Sequence, residues 1–197
     1  FINSYRYQKI LQLTNFKKNI FSPSTQVSIK KKISKKTNSN LIICDFGIGI
    51  LEDQVLNFIN KLKINKYINV QTNSINFGSN LLTKYQKSKY LKYVSIDERE
   101  WLLAFGDTDN FNRIYEKNFL NKNTAISKTL GKNGSIYYDS GNQYQTPVFV
   151  DKTIDTTGSG DAYFIITAIL KIIKAKPDLI PFLGNVYAGL HTLNLAN

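Results

Sequence analysis

Residues 154 to 170, IDTTGSGDAYFIITAIL, place Gly158 and Gly160 on either side of Ser159 and follow them at once with a carboxylate, Asp161. A long apolar run comes next, so the motif stands at the mouth of a buried helix. Glycines free the backbone for conformations closed to other residues. The N–H groups of Gly158, Ser159 and Gly160 can then converge at the positive end of the helix, an anion hole suited to a phosphate or a transferring phosphoryl group. A carboxylate beside such a hole is placed to accept a proton from an alcohol attacking phosphorus. Spacing alone also fits a simpler reading, in which Asp161 complements the helix dipole and the glycines turn the chain.

Other glycine signatures fail. No lysine follows Gly160, so the segment is not a P-loop, and residue 163 is Tyr where a dinucleotide fingerprint needs a third glycine. Gly47 and Gly49 are followed by Glu52 and fail the same test.

The elements that must position this motif are legible from periodicity. SYRYQKILQL (4–13) alternates as a strand, STQVSIKKKISKK is an amphipathic helix, and LIICDF (41–46) is a branched apolar run expected to be buried on both faces. A helix follows, with Leu51, Val55, Leu56, Ile59 and Leu62 on one side. Strand YINVQT (67–72), a helical fragment at 81–85 and strand YLKYVSI (90–96) come next, then helix DEREWLLAF and a polar helix near 111–120. Strands TAISKTL, SIYYD and PVFVD precede the helix of the motif, with GKNG turning one antiparallel hairpin. Pro177 and Pro181 frame a turn before a last helix, 182–194. Alternation of strand and helix predicts one α/β/α layer domain around a mostly parallel sheet. Ligands in such sheets sit beyond the carboxyl ends of the strands, here the loops after Asp45, Val94, Leu130 and Asp151.

DTTGSGDAY resembles the C-terminal signature of the ribokinase (PfkB) family of sugar kinases, D-T-x-G-[AS]-G-D-x-F, with Tyr163 for the usual Phe. Other segments agree in family order. TLGKNGS (129–135) resembles the T-x-G-x-x-G segment of the nucleotide site, and SIDERE (95–100) stands where the family has N-x-x-E, with Ser95 in place of Asn. CDFGIG (44–49) resembles the D-[YF]-G-x-G segment of the heptose-phosphate kinase branch, which works in ADP-heptose synthesis; Ile48 stands where a lysine or histidine is common there. The opening FINSYRYQKILQL is similar to the strand that follows the lid in that branch.

The resemblance implies ATP and Mg²⁺ as cofactors and a sugar or sugar phosphate as substrate. Asp161 would be the general base, and the amides of Gly158, Ser159 and Gly160 would stabilise the transferring γ-phosphoryl. Thr129, Gly131 and Gly134 would border the nucleotide, Asp155 and Thr156 would support the loop, and Glu98 would hold the magnesium and its waters. Ser95-x-x-Glu98 equally forms a capping box at the start of helix EREWLLAF. Asp45 and Gly47 would face the sugar, although Asp45 also reads as a strand-end turn residue. The same fold serves kinases of nucleosides and vitamin alcohols, and a non-catalytic nucleotide-binding module is the reading from another class.

The chain of 197 residues suffices for one domain with a real core, at 42% hydrophobic and 13% aromatic content. No apolar run spans a bilayer, and no cleavable signal opens the chain. One cysteine, Cys44, excludes an internal disulfide and, with one histidine, His191, disfavours a Cys/His zinc site. Cys44 reads as a buried strand residue and His191 as a helix surface residue. These features lead to the expectation of a cytoplasmic protein. A net charge of +12 comes from lysines scattered among asparagines and isoleucines, and the densest cluster, Lys30, Lys31 and Lys32 with Lys35 and Lys36, carries no interleaved aromatics, so nucleic acid is not the expected partner. The family's glycine-pair sugar segment and lid strands have no counterpart here. Residues 1–197 are therefore expected to be the C-terminal portion of a ribokinase-like domain, inactive or nearly so alone. The resemblance leaves room for a fused nucleotidyltransferase domain and for a homodimer.

Overall fold

A computed structural model of the chain describes residues 2–3, 8–9, 22–36, 39–73, 76–106, 119, 121 and 123–193. A short antiparallel pair joins β1 (Ile2–Asn3) to β2 (Gln8–Lys9). The rest of the strand expected over 4–13 lies outside the described residues, as does the polar helix expected near 111–120, Phe119 apart.

The main sheet runs in chain order: β3 (Leu41–Asp45), β4 (Lys66–Val70), β5 (Leu91–Asp97), β6 (Ala125–Thr129), β7 (Ser135–Asp139) and β8 (Asn142–Thr146). Pairing is parallel from β3 to β6 and antiparallel from β6 to β8. The Gly131–Gly134 turn makes the first hairpin as expected, and a second follows at Ser140–Gly141.

Side chains alternate across this sheet with the period of two that strands impose. Ile68 and Val70, Val94 and Ile96, and Ile126 point to one face, where they pack with α1 (Pro23–Ser34), α2 (Asp53–Lys61) and α3 (Glu98–Phe105) around Val55, Ile59 and Trp101. Tyr67, Tyr93, Ala125 and Tyr137 point to the other, against Phe164 and Ala168 of α4 (Ser159–Ile172) and Ile180 of α5 (Leu179–His191). The result is the predicted α/β/α layering. On the α4 face, Tyr93 Oη hydrogen-bonds with Ser127 Oγ at 2.8 Å and Thr167 Oγ1 at 2.7 Å. Tyr163 Oη reaches Ser127 at 3.2 Å and Ser135 at 3.0 Å, so these buried hydroxyls satisfy one another.

Four local expectations change. PVFVD is not a strand: Pro147 has no N–H for a ladder, and Asn185 Nδ2 binds the carbonyls of Thr146 and Pro147 at 2.9 and 3.0 Å. The motif helix does not wait for the apolar run after Asp161 but starts inside the glycine motif, at Ser159. The last helix opens at Leu179, with Pro181 in its first turn, where a missing N–H costs nothing. Among the described strands β3 has a neighbour on one side only, and Ile42 is exposed and Cys44 half-buried.

Candidate functional site

Gly158 is the N-cap of α4 in a left-handed conformation, φ 80°. A Cβ there would stand 2.9 Å from His191 Nε2, so glycine lets the imidazole lie against the loop. That ring nitrogen is 3.1 Å from Thr157 O, and Thr192 O accepts from Ile154 and Asp155 N–H at 2.8 and 3.2 Å. The end of α5 thus fastens the motif loop. Asp155 Oδ1 accepts from Thr157 N–H at 2.9 Å, an Asx turn that supports the loop from within. Ser159 sends both its N–H, at 3.2 Å, and its hydroxyl, at 2.9 Å, to Thr156 O. Ala162 N–H makes the first bond to a carbonyl four residues back, Gly158 O, at 2.9 Å. The Gly160 and Asp161 amides precede it, in the turn where helix donors face outward. Open space surrounds Gly160.

Asp161 is half-buried in the first turn of α4, and Gln71 Nε2 donates to its Oδ1. Burial raises its carboxyl above the usual carboxylate range; the Gln71 hydrogen bond and the charge of His191 oppose that shift. Gln71 lies just beyond β4, with its backbone fixed on both sides. Its N–H donates to Asp45 O at 2.9 Å, and its carbonyl accepts from Asn76 and Asn80 Nδ2 at 2.9 and 3.0 Å.

The facing wall is acidic. Asp97 caps α3 in a capping box: its Oδ1 accepts from Glu100 N–H at 2.6 Å, and Glu100 Oε2 accepts from Asp97 N–H at 2.9 Å. The box is therefore Asp97-x-x-Glu100, two residues on from the expected Ser95-x-x-Glu98, because β5 continues through Asp97 in register with Thr129. Glu100 is buried and also accepts Thr72 N–H at 2.6 Å through Oε1. Burial pushes its carboxyl up to about 7, against the pull of these hydrogen bonds. Glu98 is exposed and stands 3.6 Å from Lys128 Nζ. Between the walls, buried Asn69 turns its Nδ2 to Ser95 O at 3.1 Å, which leaves Oδ1 without a hydrogen-bond partner.

Together these groups line a cleft of about 210 Å³ beyond the carboxyl ends of β4, β5 and β6. Of the residues expected from sequence, Gly158, Gly160, Asp161 and Thr129 line it. Asn69, Gln71, Asp97 and Glu100 also line it and were not anticipated. Ser159, Thr156 and Asp155 build the adjoining turn. Gly131 and Gly134 form the β6–β7 turn; a Cβ on Gly134 would meet Thr146 O at 2.0 Å, so close backbone approach requires glycine there. Asp45 is buried, and its Oδ2 binds Tyr85 Oη at 2.9 Å and Lys84 Nζ at 2.5 Å. Gly47 N–H closes on Asp45 Oδ1 at 3.0 Å, and a Cβ on Gly47 would meet Asn76 Nδ2 at 2.4 Å. These two residues brace the loops after β3 and β4 and stand outside the lining of the cleft.

Among the described residues, no three His, Cys, Asp or Glu side chains cluster closely enough to hold a metal by themselves. The donor set suits a magnesium ion that keeps several waters and leans on one or two carboxylates and a ligand's phosphates. Glu100 and the unpartnered oxygen of Asn69 are oxygen acceptors of that kind. No described helix is long and apolar enough to cross a membrane.

No protein-family model matches the sequence, and no curated protein matches it. Solved structures do match in fold. Phosphofructokinase-2 from Escherichia coli, in complex with substrates and products, superposes with a TM-score of 0.71 at 16% identity, over 88% of this chain and 57% of that one. Arabidopsis thaliana ribokinase, complexed with ribose and ATP, gives 0.62 at 16% identity, over 90% and 55%. Ribokinase from Thermotoga maritima gives 0.63 at 17% identity, over 83% and 53%. The chain therefore has the ribokinase-like α/β/α fold and spans little more than half the length of these sugar kinases.

Proposed function

We propose that this chain carries the phosphoryl-transfer end of an ATP-dependent kinase acting on a hydroxyl of a sugar or sugar phosphate. The observation that supports it most is Asp161, raised in pKa by burial and set at the donor-rich start of α4 across one cleft from Glu100. Asp161 takes the proton of the attacking hydroxyl, and the amides at Gly158, Gly160 and Asp161 face the charge on the γ-phosphoryl. Ser159, whose N–H is spent on the turn, shapes the loop. Thr129 borders the nucleotide, with Gly131 and Gly134 giving the turn its close fit. Glu100, rather than Glu98, is the carboxylate for magnesium and its waters, because it lies buried in the cleft whereas Glu98 faces solvent. Bound magnesium would neutralise charge on the phosphates. The likeness of CDFGIG to the heptose-phosphate branch is the ground for including sugar phosphates. In this reading Asp45 orders the loop and does not contact the acceptor.

The test is calorimetric titration of Mg²⁺·ATP into the protein, followed by an acceptor screen of sugars, sugar phosphates, nucleosides and vitamin alcohols with the full gene product. Nucleotide binding with sugar-dependent ADP release supports the reading. Binding without turnover on any acceptor contradicts it and favours a nucleotide-binding module.

A further inference from the structure

Residue type and spacing do not single out Gln71, yet its side chain donates a hydrogen bond to the acid of the motif. Asp161 has several charged and titratable neighbours. Glu100 of α3 and His191 of α5 interact with it through charge, and Cys44 of β3 has its thiol pushed up by burial and by the charge of Asp161. Gln71 differs from all of them in having no titratable proton and in donating directly to Oδ1. Its backbone is pinned by Asp45, Asn76 and Asn80, so the amide is delivered from a fixed point. Asn76 Nδ2 also holds Phe46 O at 2.8 Å, which ties the same base to the loop after β3.

We propose that Gln71 is a positioning residue for Asp161: it occupies Oδ1, fixes the rotation of the carboxylate and presents Oδ2 to the acceptor hydroxyl. This rests on the kinase reading above. In the transfer, the acceptor oxygen forms a bond to the γ-phosphorus as the bond from that phosphorus to the bridging oxygen of ADP breaks. The hydroxyl proton passes to Asp161 Oδ2 and then to solvent. A neutral donor at Oδ1 favours the ionised acid without the ion pair that a lysine or arginine would impose there, so the carboxylate stays basic enough to take a proton.

The test is a ¹³C NMR titration of the Asp161 carboxyl in the wild type, Gln71→Leu and Gln71→Glu, with the pH profile of kcat for the full gene product. Gln71→Leu should raise the Asp161 midpoint by about one pH unit and move the acid limb of kcat with it, leaving KM for ATP within about twofold. Gln71→Glu should place two carboxylates on one proton and split the titration into two steps. An Asp161 midpoint that stays in place in a folded Gln71→Leu protein overturns the inference, as does an unchanged single step in Gln71→Glu. Failure of the kinase reading would appear elsewhere, as absent turnover in the wild type, and so is read separately from the carboxyl titration.

Discussion

Gln71 and Asp161 lie 90 residues apart in the chain and meet through a side-chain hydrogen bond at the mouth of α4. That contact joins the carboxyl end of β4 to the start of the motif helix and closes one side of the cleft. The other side is Glu100, anchored by the backbone amides of Thr72 and Asp97.

Glu100 and Glu98 should separate cleanly. Glu100→Gln is expected to weaken magnesium-dependent nucleotide binding by about tenfold or more. Glu98→Gln should change it by less than about twofold, since Glu98 lies outside the lining of the cleft and loses only a 3.6 Å pairing, made from the solvent side, with buried Lys128. Titration of Mg²⁺ or Mn²⁺ into each variant in the presence of ATP makes the comparison, and the reverse order would restore Glu98 to the role first read from the sequence.

The raised pKa of Glu100 also carries a pH signature. The folded state holds its proton up to about pH 7, whereas the unfolded chain releases it near 4.5. Between those values the native state binds more protons, so stability falls as pH rises. Relative to Glu100→Gln, the wild type should lose up to about 3 kcal/mol over that window. Urea unfolding of both proteins at pH 4.5 and pH 8 measures it; a constant difference would mean that Glu100 is not buried as described.

The two turn glycines should differ as well. Gly134→Ala forces a Cβ against Thr146 O at a φ of 85°, at a cost of about 2–4 kcal/mol. Gly131→Ala meets open space and carries only the left-handed backbone strain, about 1 kcal/mol. Thermal melts in the absence of ligand test this ordering, and equal losses would contradict it.

The outer face of the α4–α5 layer is apolar. Ile165 and Ile169 of α4 and Ile173 at its C-cap form one exposed row, and Leu179, Phe182 and Leu190 another on α5. Such a patch drives association, so this 197-residue chain should self-associate with rising concentration in sedimentation velocity. Ile169→Glu with Ile173→Lys should reduce that while leaving the circular dichroism unchanged. A monomer at every concentration would contradict it.

Much of the fold was legible because period-two and period-3.6 patterns are local properties of the chain. Strands β3 to β7 and helices α2 to α4 fall within a few residues of where the apolar spacing puts them. The boundaries that moved depend on partners. Ser95 and Asp97 are both competent to cap a helix, and only the pairing of β5 with β6 decides that the strand runs to Asp97. PVFVD has the composition of a strand, but Asn185, from the last helix, takes the carbonyls that a ladder would need. The glycine motif announced Asp161, since its chemistry is packed into consecutive residues. Gln71, Glu100 and Asn69 reach the cleft through tertiary geometry, so isolated segments do not single them out. Asp45 shows the converse: an acid at a strand end reads locally as a site residue, and only tertiary geometry reveals Lys84 and Tyr85 on its carboxylate.

The central claim is that Asp161 is the base and not only a helix-start carboxylate. Asp161→Asn in the full gene product keeps the shape of the side chain and removes its capacity to take the proton. Turnover should fall by about 10²–10⁴-fold while the Kd for Mg²⁺·ATP stays within about threefold. Equal loss of turnover and nucleotide affinity, or turnover close to wild type, would contradict it.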